Sequence, residues 1–476
     1  MTDAAPAPVK ERVRHPGGVL VVLLMAGISF ALSQTLVIPA LPDISREVNA
    51  SPSAASWILS GFLLSASIAT PIVGKLGDVF GKGRVLTLVL LLFSVGGVVC
   101  ALANSIGLLI AGRVVQGVAG GVFPLAFGII RDTFPPERMA TGLGLISAII
   151  GIGAGIGLPL SGVIADNLGV PWLFWLSLIA LPAAVAAHFL VPPSPLSRRV
   201  RIDWAGAALL SAALGSVLLG VTKANDWGWG STPTLGLFVA GVLLLVGWVW
   251  FESRVDDPLI DLEVLRGRAV ATTNLTGLLV GFAMFSSFLL IPQFAQAPAS
   301  TGYGFGDTVT QAGILLVPAA LAQLLAGPLA GWLGTRIGFR ATLAMGAALA
   351  TTSFALMAVL HSHPWHFVLA AVLLGTGISF AFASMANLIV GAVPQSEVGI
   401  ATGINTIMRT IGGAFGAGVA TAILTGHTIG SSAIPSEAAY TTAFVMSAVG
   451  GVLAIAAALL VPRRVEERVR GAVPAA

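Results

Sequence analysis

The sequence predicts an all-α protein threaded through a lipid bilayer many times, and three observations carry that reading. First, 56% of its 476 residues are hydrophobic and only 9% are charged, against about 25% charged in a soluble domain. A water-soluble body of this size could not cover itself with so few charges. Second, the apolar residues gather into long runs close to the roughly 20 residues that a crossing needs, with short polar turns between them. Third, lysines and arginines recur in small clusters between the runs, almost all on one side once the runs are counted as crossings. The pI near 9.7 therefore reports membrane orientation, and nucleic acid is not expected as a partner.

Taken in order, residues 1–16 mix Asp3, Lys10, Glu11, Arg12 and Arg14 with prolines and read as a disordered cytoplasmic tail. The run that follows is about 22 residues, too long for a signal-peptide core, and is read as a retained first helix. Six spans near 17–41, 54–74, 85–103, 107–130, 140–164 and 171–191 make an N-terminal bundle, 17–191. A linker, 192–268, carries two more spans near 204–222 and 233–251, expected to pack outside the bundles. Spans near 269–294, 310–333, 341–361, 365–391, 398–424 and 440–461 make a C-terminal bundle, 269–461. Residues 462–476 form a second tail. With fourteen crossings and both termini cytoplasmic, twenty lysines and arginines lie inside, and only Arg46 and Lys223 lie outside. Trp172, Trp204, Trp227, Trp229 and Trp365 fall at span ends, where an interfacial belt is expected. The lone Cys100 lies within an apolar run, so no disulfide forms within the chain and no metal site is expected.

The two bundles repeat each other. Gly331-Trp332-Leu333-Gly334-Thr335-Arg336-Ile337-Gly338 echoes Gly74–Gly81, with Thr335 in place of Asp78. Likewise Ala401-Thr402-Gly403 echoes Ala140-Thr141-Gly142 at nearly the same offset. Duplicated parallel halves are the architecture that rocks about a site at the midplane.

The turn between the second and third spans holds Gly74, Lys75, Leu76, Gly77, Asp78, Gly81, Lys82 and Arg84. Glycines there let backbones approach, and the cations mark the cytoplasmic side. In the fourth span, Arg113 and Gln116 sit about one turn apart. Arg113 reads as a functional group facing a cavity or partner, or as an anchor reaching the interface about 9 Å away along the helix. The fifth span reads Gly151-x-Gly153-x-Gly155-x-Gly157-x-Pro159-x-x-Gly162, a grooved face with a kink. Close packing alone accounts for it physically. Arg409 lies about 15 Å into the thirteenth span, near the midplane, which favours a lining role. Amides at Gln34, Asn274, Gln293 and Asn387 need partners inside a membrane and are candidates for the substrate path. Met284, Phe285, Phe288, Phe380, Phe382 and Met385 either line a cavity or face lipid. By this span map, all twenty Asp and Glu lie in loops or at helix ends.

Gly-x-Leu-x-Asp-x-x-Gly-x-x-Arg from Gly74 to Arg84 resembles the loop between helices 2 and 3 of the major facilitator superfamily of secondary transporters. Arg113-x-x-Gln116-Gly117 is similar to the helix-4 motif of its proton-coupled members. The glycine series with Gly153, Gly157, Pro159 and Gly162 is similar to the helix-5 motif of its antiporters, with Leu158 and Val163 as departures. The resemblance covers nearly the whole chain and points to the fourteen-helix drug:proton antiporters. It implies two six-helix bundles plus two central helices, and a cytoplasmic latch of Gly74, Asp78, Gly81, Lys82, Arg84 and Asp132. It also implies efflux of small amphipathic compounds by proton antiport, from a monomeric protein of the cell membrane. Small-molecule substrate, protons and the bilayer are its implied partners, and no cofactor is implied. Leu32-Ser33-Gln34-Thr35-Leu36-Val37-Ile38-Pro39 departs from the family's first helix, with Ser33 at the acidic position and Ile38 at the Asn position. A facilitator or symporter for one polar or anionic metabolite is the second transport reading. A receptor or scaffold would need a soluble domain or long loop, and no nucleotide loop or nucleophile–base set suggests an enzyme.

Overall fold

The computed structural model describes residues 16–50, 52–193, 203–255, 258, 260, 262–394, 397–429 and 434–462. Both predicted tails therefore lie outside the described residues, apart from Pro16 and Pro462, as do Arg198, Arg199 and Arg201 of the linker. The first half of the chain forms α1 (Pro16–Thr35), α2 (Val37–Glu47), α3 (Pro52–Phe80), α4 (Lys82–Ala101), α5 (Ile106–Gly117), α6 (Val122–Thr133), α7 (Pro136–Leu168), α8 (Pro171–Trp175) and α9 (Ala180–Leu190). The central pair is α10 (Trp204–Trp227) and α11 (Thr232–Glu252). The second half forms α12 (Leu262–Arg266), α13 (Arg268–Gln296), α14 (Val309–Ile314), α15 (Val317–Ile337), α16 (Phe339–Val359), α17 (Pro364–Ala392), α18 (Val398–Gly426) and α19 (Glu437–Leu459).

Thirteen helical stretches among the described residues are long and apolar enough to cross a membrane. The remaining predicted run, 140–164, is the interior of α7, whose 33 residues extend about 50 Å at the α-helical rise. Four runs are less regular than hydropathy suggests. The first divides at Leu36 into α1 and α2, and the tenth into α14 and α15. The fourth and sixth contain 3-10 turns at Val118–Gly121 and Leu176–Ile179.

Local chemistry sets the helix ends. Asp203 accepts from Gly206 N at the start of α10, and Ser105, Ser231 and Ser436 cap α5, α11 and α19 in the same way. Thr308 and Gln311 form a reciprocal capping box on α14. Gly81 and Gly338 hold φ of 97° and 98° at the turns α3–α4 and α15–α16. A left-handed backbone at both equivalent positions is the repeat seen in the sequence, now as geometry.

Each half has its own core. Phe30, Phe62, Phe93 and Phe123 belong to the core of the first half, and Phe294, Phe354, Phe367 and Phe444 to that of the second. Between them, α10 packs on both α3 and α18 while α11 packs on α10. α11 is the least buried of the thirteen stretches. A further apolar cluster ties this seam together: Leu210 and Leu214 of α10, Trp248 of α11, Ile260 of the linker, and Ile400, Ile404 and Ile407 of α18. Lys75 donates to the Pro258 carbonyl at 3.0 Å, fastening the linker to α3.

Candidate functional site

The face bearing the turns at Gly81, Pro135, Gly267 and Gly338 carries most of the described lysines and arginines, and is called here the basic face. There the two halves touch backbone to backbone. A Cβ on Gly74 of α3 would lie 2.8 Å from the Gly399 carbonyl oxygen of α18, and one on Gly331 of α15 would lie 2.6 Å from the Ala140 carbonyl oxygen of α7. Only glycine permits either approach. Arg131 adds hydrogen bonds across the same boundary, to the Val393 and Pro394 carbonyls at 3.0 and 3.3 Å.

Beside this seal lies a buried charge network. Lys82 Nζ sits 3.2 Å from Asp78 Oδ1 and 3.0 Å from Asp132 Oδ2. It donates a hydrogen bond to Asp132 and forms an ion pair with Asp78. All three belong to the first half. The link to the second half is the other oxygen of Asp78, Oδ2, which would lie 3.0 Å from a Cβ on Gly399. That places a carboxylate at the first turn of α18, whose N-cap residue Glu397 makes no side-chain capping bond. Negative charge is favourable there because the exposed N–H groups carry partial positive charge. Arg84 is exposed and stands apart from this network. Arg131, which bridges the halves, was not singled out from the sequence. Its position beside Asp132 at the end of the fourth span was the available signal.

Away from the seal, α3 and α18 part and a cavity opens between them. Its inner chamber, about 50 Å³, is lined by Gln34, Ser67, Thr70, Phe382, Thr406 and Arg409 among others. Gln34, Leu63, Met284, Phe285 and Thr410 belong equally to a larger chamber of about 400 Å³. That chamber reaches toward the opposite face past Trp57, Phe288, Ala417 and Thr421, with Leu218, Leu219, Val221 and Thr222 of α10 as its third wall. The size suits a drug-like molecule, since such pockets run to about 300–1,000 Å³. Among the described residues lining either chamber, Arg409 alone is charged. It is 6% exposed, donates from Nη2 to Thr406 Oγ1 at 3.1 Å, and lies 4.3 Å from the Phe382 ring centroid. Lys223, also buried, stands over the Trp57 ring at 5.5 Å.

The other sequence candidates are placed differently. Arg113 is fully buried within the first half and lines neither chamber in this conformation. It donates to Ser33 Oγ at 2.9 Å, Gln116 Oε1 at 3.0 Å and the Ile58 carbonyl at 3.2 Å, and stacks over Phe62 at 4.0 Å. The interfacial-anchor alternative does not describe this side chain, because its guanidinium is enclosed by protein. Asn274 accepts from Asn405 Nδ2 at 3.1 Å inside the second half. Asn387 donates to the Ala383 carbonyl of its own helix at 2.8 Å, and its Oδ1 has no hydrogen-bond partner. Gln293 is exposed near the end of α13. Of the amides, Gln34 alone lines the cavity. Met284, Phe285, Phe288 and Phe382 line it too, whereas Phe380 packs in a core cluster with Ala326, Ala330 and Ala383.

The glycines of the fifth span prove to be contact points. A Cβ on Gly153 would meet Ala31 at 2.4 Å, and one on Gly157 would meet Thr35 Oγ1 at 2.0 Å; Thr35 in turn donates to the Gly153 carbonyl at 2.6 Å. Gly162 faces Thr310, and Pro159 faces Gly313, so this portion of α7 also contacts α14 of the other half.

Two pseudo-symmetric helical halves, sealed at one face around a central cavity, have the architecture of a membrane transporter built from internal repeats. A family model of the Major Facilitator Superfamily matches residues 23–300 and again 273–475, and the chain belongs to that superfamily, whose members are transporters and not enzymes. It is 27% identical over 423 residues to the tetracenomycin C resistance and export protein of Streptomyces glaucescens, covering 88% of this chain and 78% of that one. It is 26% identical to the multidrug transporter protein MdtP of Bacillus subtilis, covering 83% and 72%. The solved human organic anion transporter MFSD10 superposes with a TM-score of 0.64 at 18% identity, covering 93% of this chain and 99% of that one, which speaks to the fold alone. The chain is thus a multi-pass membrane transporter, as the loop motif and hydropathy implied.

Proposed function

We propose that the protein exports small amphipathic compounds by alternating access, the halves 17–191 and 269–461 rocking about the cavity between α3, α10, α13 and α18. The observation that carries this is the pairing of a backbone-tight seal at one face with an apolar, hydroxyl-studded cavity behind it. The positive-inside distribution supports a cytoplasmic basic face, so the conformation described would be closed to the cytoplasm. Asp78, Lys82 and Asp132, with Gly74 and Gly81, then act as the latch, and opening inward withdraws Asp78 from the first turn of α18. The export function in the name of the Streptomyces relative supports efflux over uptake, and the multidrug transport named for the Bacillus one supports small amphipathic cargo.

Proton antiport is the coupling that the family resemblance favours. The described cavity lining offers no carboxylate, so in this reading the exchangeable protons reside at the latch carboxylates. Purified protein in liposomes, tested with an imposed pH gradient and a panel of anionic, neutral and cationic amphiphiles, tests both parts. Gradient-dependent accumulation of at least one class is expected. Absence of transport for every class overturns the export reading, and transport indifferent to the pH gradient overturns proton antiport.

A further inference from the structure

We infer that the cavity is an anion-recognition site: the inner chamber seats the single negative charge of an amphipathic substrate on Arg409, and the outer chamber holds its apolar or aromatic body. This rests on the export reading for its physiological meaning, and on the geometry of the cavity for its chemistry.

The argument begins with an imbalance. An ionised side chain removed from water costs several kcal/mol unless a partner compensates it, and buried intramembrane charges are normally paired. Arg409 is 6% exposed and makes no ion pair among the described residues; its described compensation is one hydrogen bond to Thr406 and the face of Phe382. A guanidinium has five N–H donors in a planar fork, and among the described residues one of them is used. Arg409 lines the inner chamber, which already has the form of an acceptor's berth. Thr406 and Thr410 stand on the same face of α18, and Gln34 lies across from them on α1.

The backbone holds this charge in place. A Cβ on Gly281 of α13 would lie 2.1 Å from the Arg409 carbonyl oxygen, so α13 and α18 are pressed together at this residue. With the backbone fixed there and the guanidinium held by Thr406 and the Phe382 ring, a charge-assisted bond to a carboxylate, sulfonate or phenolate would have less side-chain freedom to remove. Above the charge the walls become apolar: Met284, Phe285 and Phe288 on α13, with Trp57 farther out. A cation entering here would meet Arg409 where charge repulsion is little screened. A neutral compound would gain the apolar burial but leave the guanidinium unmatched.

The test uses dansylglycine, an aromatic monoanion, its neutral primary amide as an isosteric control, and tetraphenylphosphonium as the cation. Binding to purified full-length protein is read from dansyl fluorescence, with the cation as competitor, and transport is read in proteoliposomes. The wild type is expected to bind dansylglycine about ten-fold or more tightly than the amide, the increment of a lost charge-assisted pair. Arg409→Gln should reduce the anion to the affinity of the amide, and Arg409→Lys should fall between, with an unchanged thermal unfolding midpoint in both as evidence of an intact fold. Equal affinity of the wild type for anion and amide, preference for the cation, or undiminished anion binding in Arg409→Gln would overturn the inference. The wild-type ranking decides even where a variant fails to fold. Anion binding through Arg409 without transport would leave this site standing and remove the export reading; transport of amide or cation without Arg409-dependent binding would do the reverse.

Discussion

Placing a methyl group at Gly74 should open the basic face. In the conformation described, the added carbon of Gly74→Ala would sit 2.8 Å from the Gly399 oxygen, 2.9 Å from its carbonyl carbon and 3.3 Å from Ile400 N. All three atoms are backbone, so no side chain can swing aside. Relief requires α3 and α18 to separate by roughly half an ångström, and overpacking of this kind typically costs about 1–3 kcal/mol. The penalty exists only while the halves are closed here, so it shifts a conformational equilibrium and does not destabilise the fold uniformly. A bias of that size is roughly a 5- to 150-fold change in population. Spin labels on the exposed positions Arg84 and Arg336, in a background lacking Cys100, would report the distance across the face. Gly74→Ala should enrich the longer distance, and Gly331→Ala should push the same way because its carbon meets the Ala140 oxygen at 2.6 Å. Gly236→Ala on α11, with nothing within 4 Å, should change nothing. An unaltered distance distribution in Gly74→Ala would refute the claim that this contact sets the seal.

Asp78→Asn should slow transport strongly while leaving yield and substrate binding near normal, because it removes charge from the first turn of α18 but leaves Lys82 bonded to Asp132; transport at the wild-type rate would reassign the network to a purely structural role. Arg113→Ala should lower thermal stability, since it removes the Arg113 donor from Ser33 Oγ and Gln116 Oε1, at about 1–3 kcal/mol for each buried group left unmatched. Dansylglycine affinity of the folded fraction should hold within about two-fold, because Arg113 lies outside the cavity. Lost binding with undiminished stability would put it on the substrate path instead. A reporter fused after Val461 should read as cytoplasmic, and an external signal would invert the topology.

Hydropathy made the helices legible because each crossing must satisfy its backbone internally and face lipid somewhere. All fourteen predicted runs are helical in the structure. The same uniformity hid which way each residue faces. A helix that is apolar all round has no amphipathic stripe from which to read orientation, so depth along the helix was all that distinguished Arg113 from Arg409 by position. One proves to be enclosed within a half and the other to border the cavity. The polar ladder Thr402, Asn405, Thr406, Arg409 and Thr410 along α18 was the legible difference: spaced at three and four residues, it marks one face of that helix. Thr406 and Thr410 belonged with Arg409 on that ground. The interruptions at Leu36, Val118 and Leu176 left no comparable mark, since membrane helices tolerate the glycines and prolines that would signal a break in water.

The seam between α3 and α18 divides labour along its own length. Near the basic face the two helices meet through glycine backbone, and a few turns away the same helices contribute side chains to the cavity. Backbone atoms are common to every residue type, so drift at neighbouring positions cannot respace the seal; mutation disturbs it mainly at the glycines themselves. The cavity wall has no such constraint, and its side chains can be exchanged one at a time. A lineage built on this seam can acquire a new cargo without relearning how to close, which gives a physical reason for one scaffold to persist while what it carries diversifies.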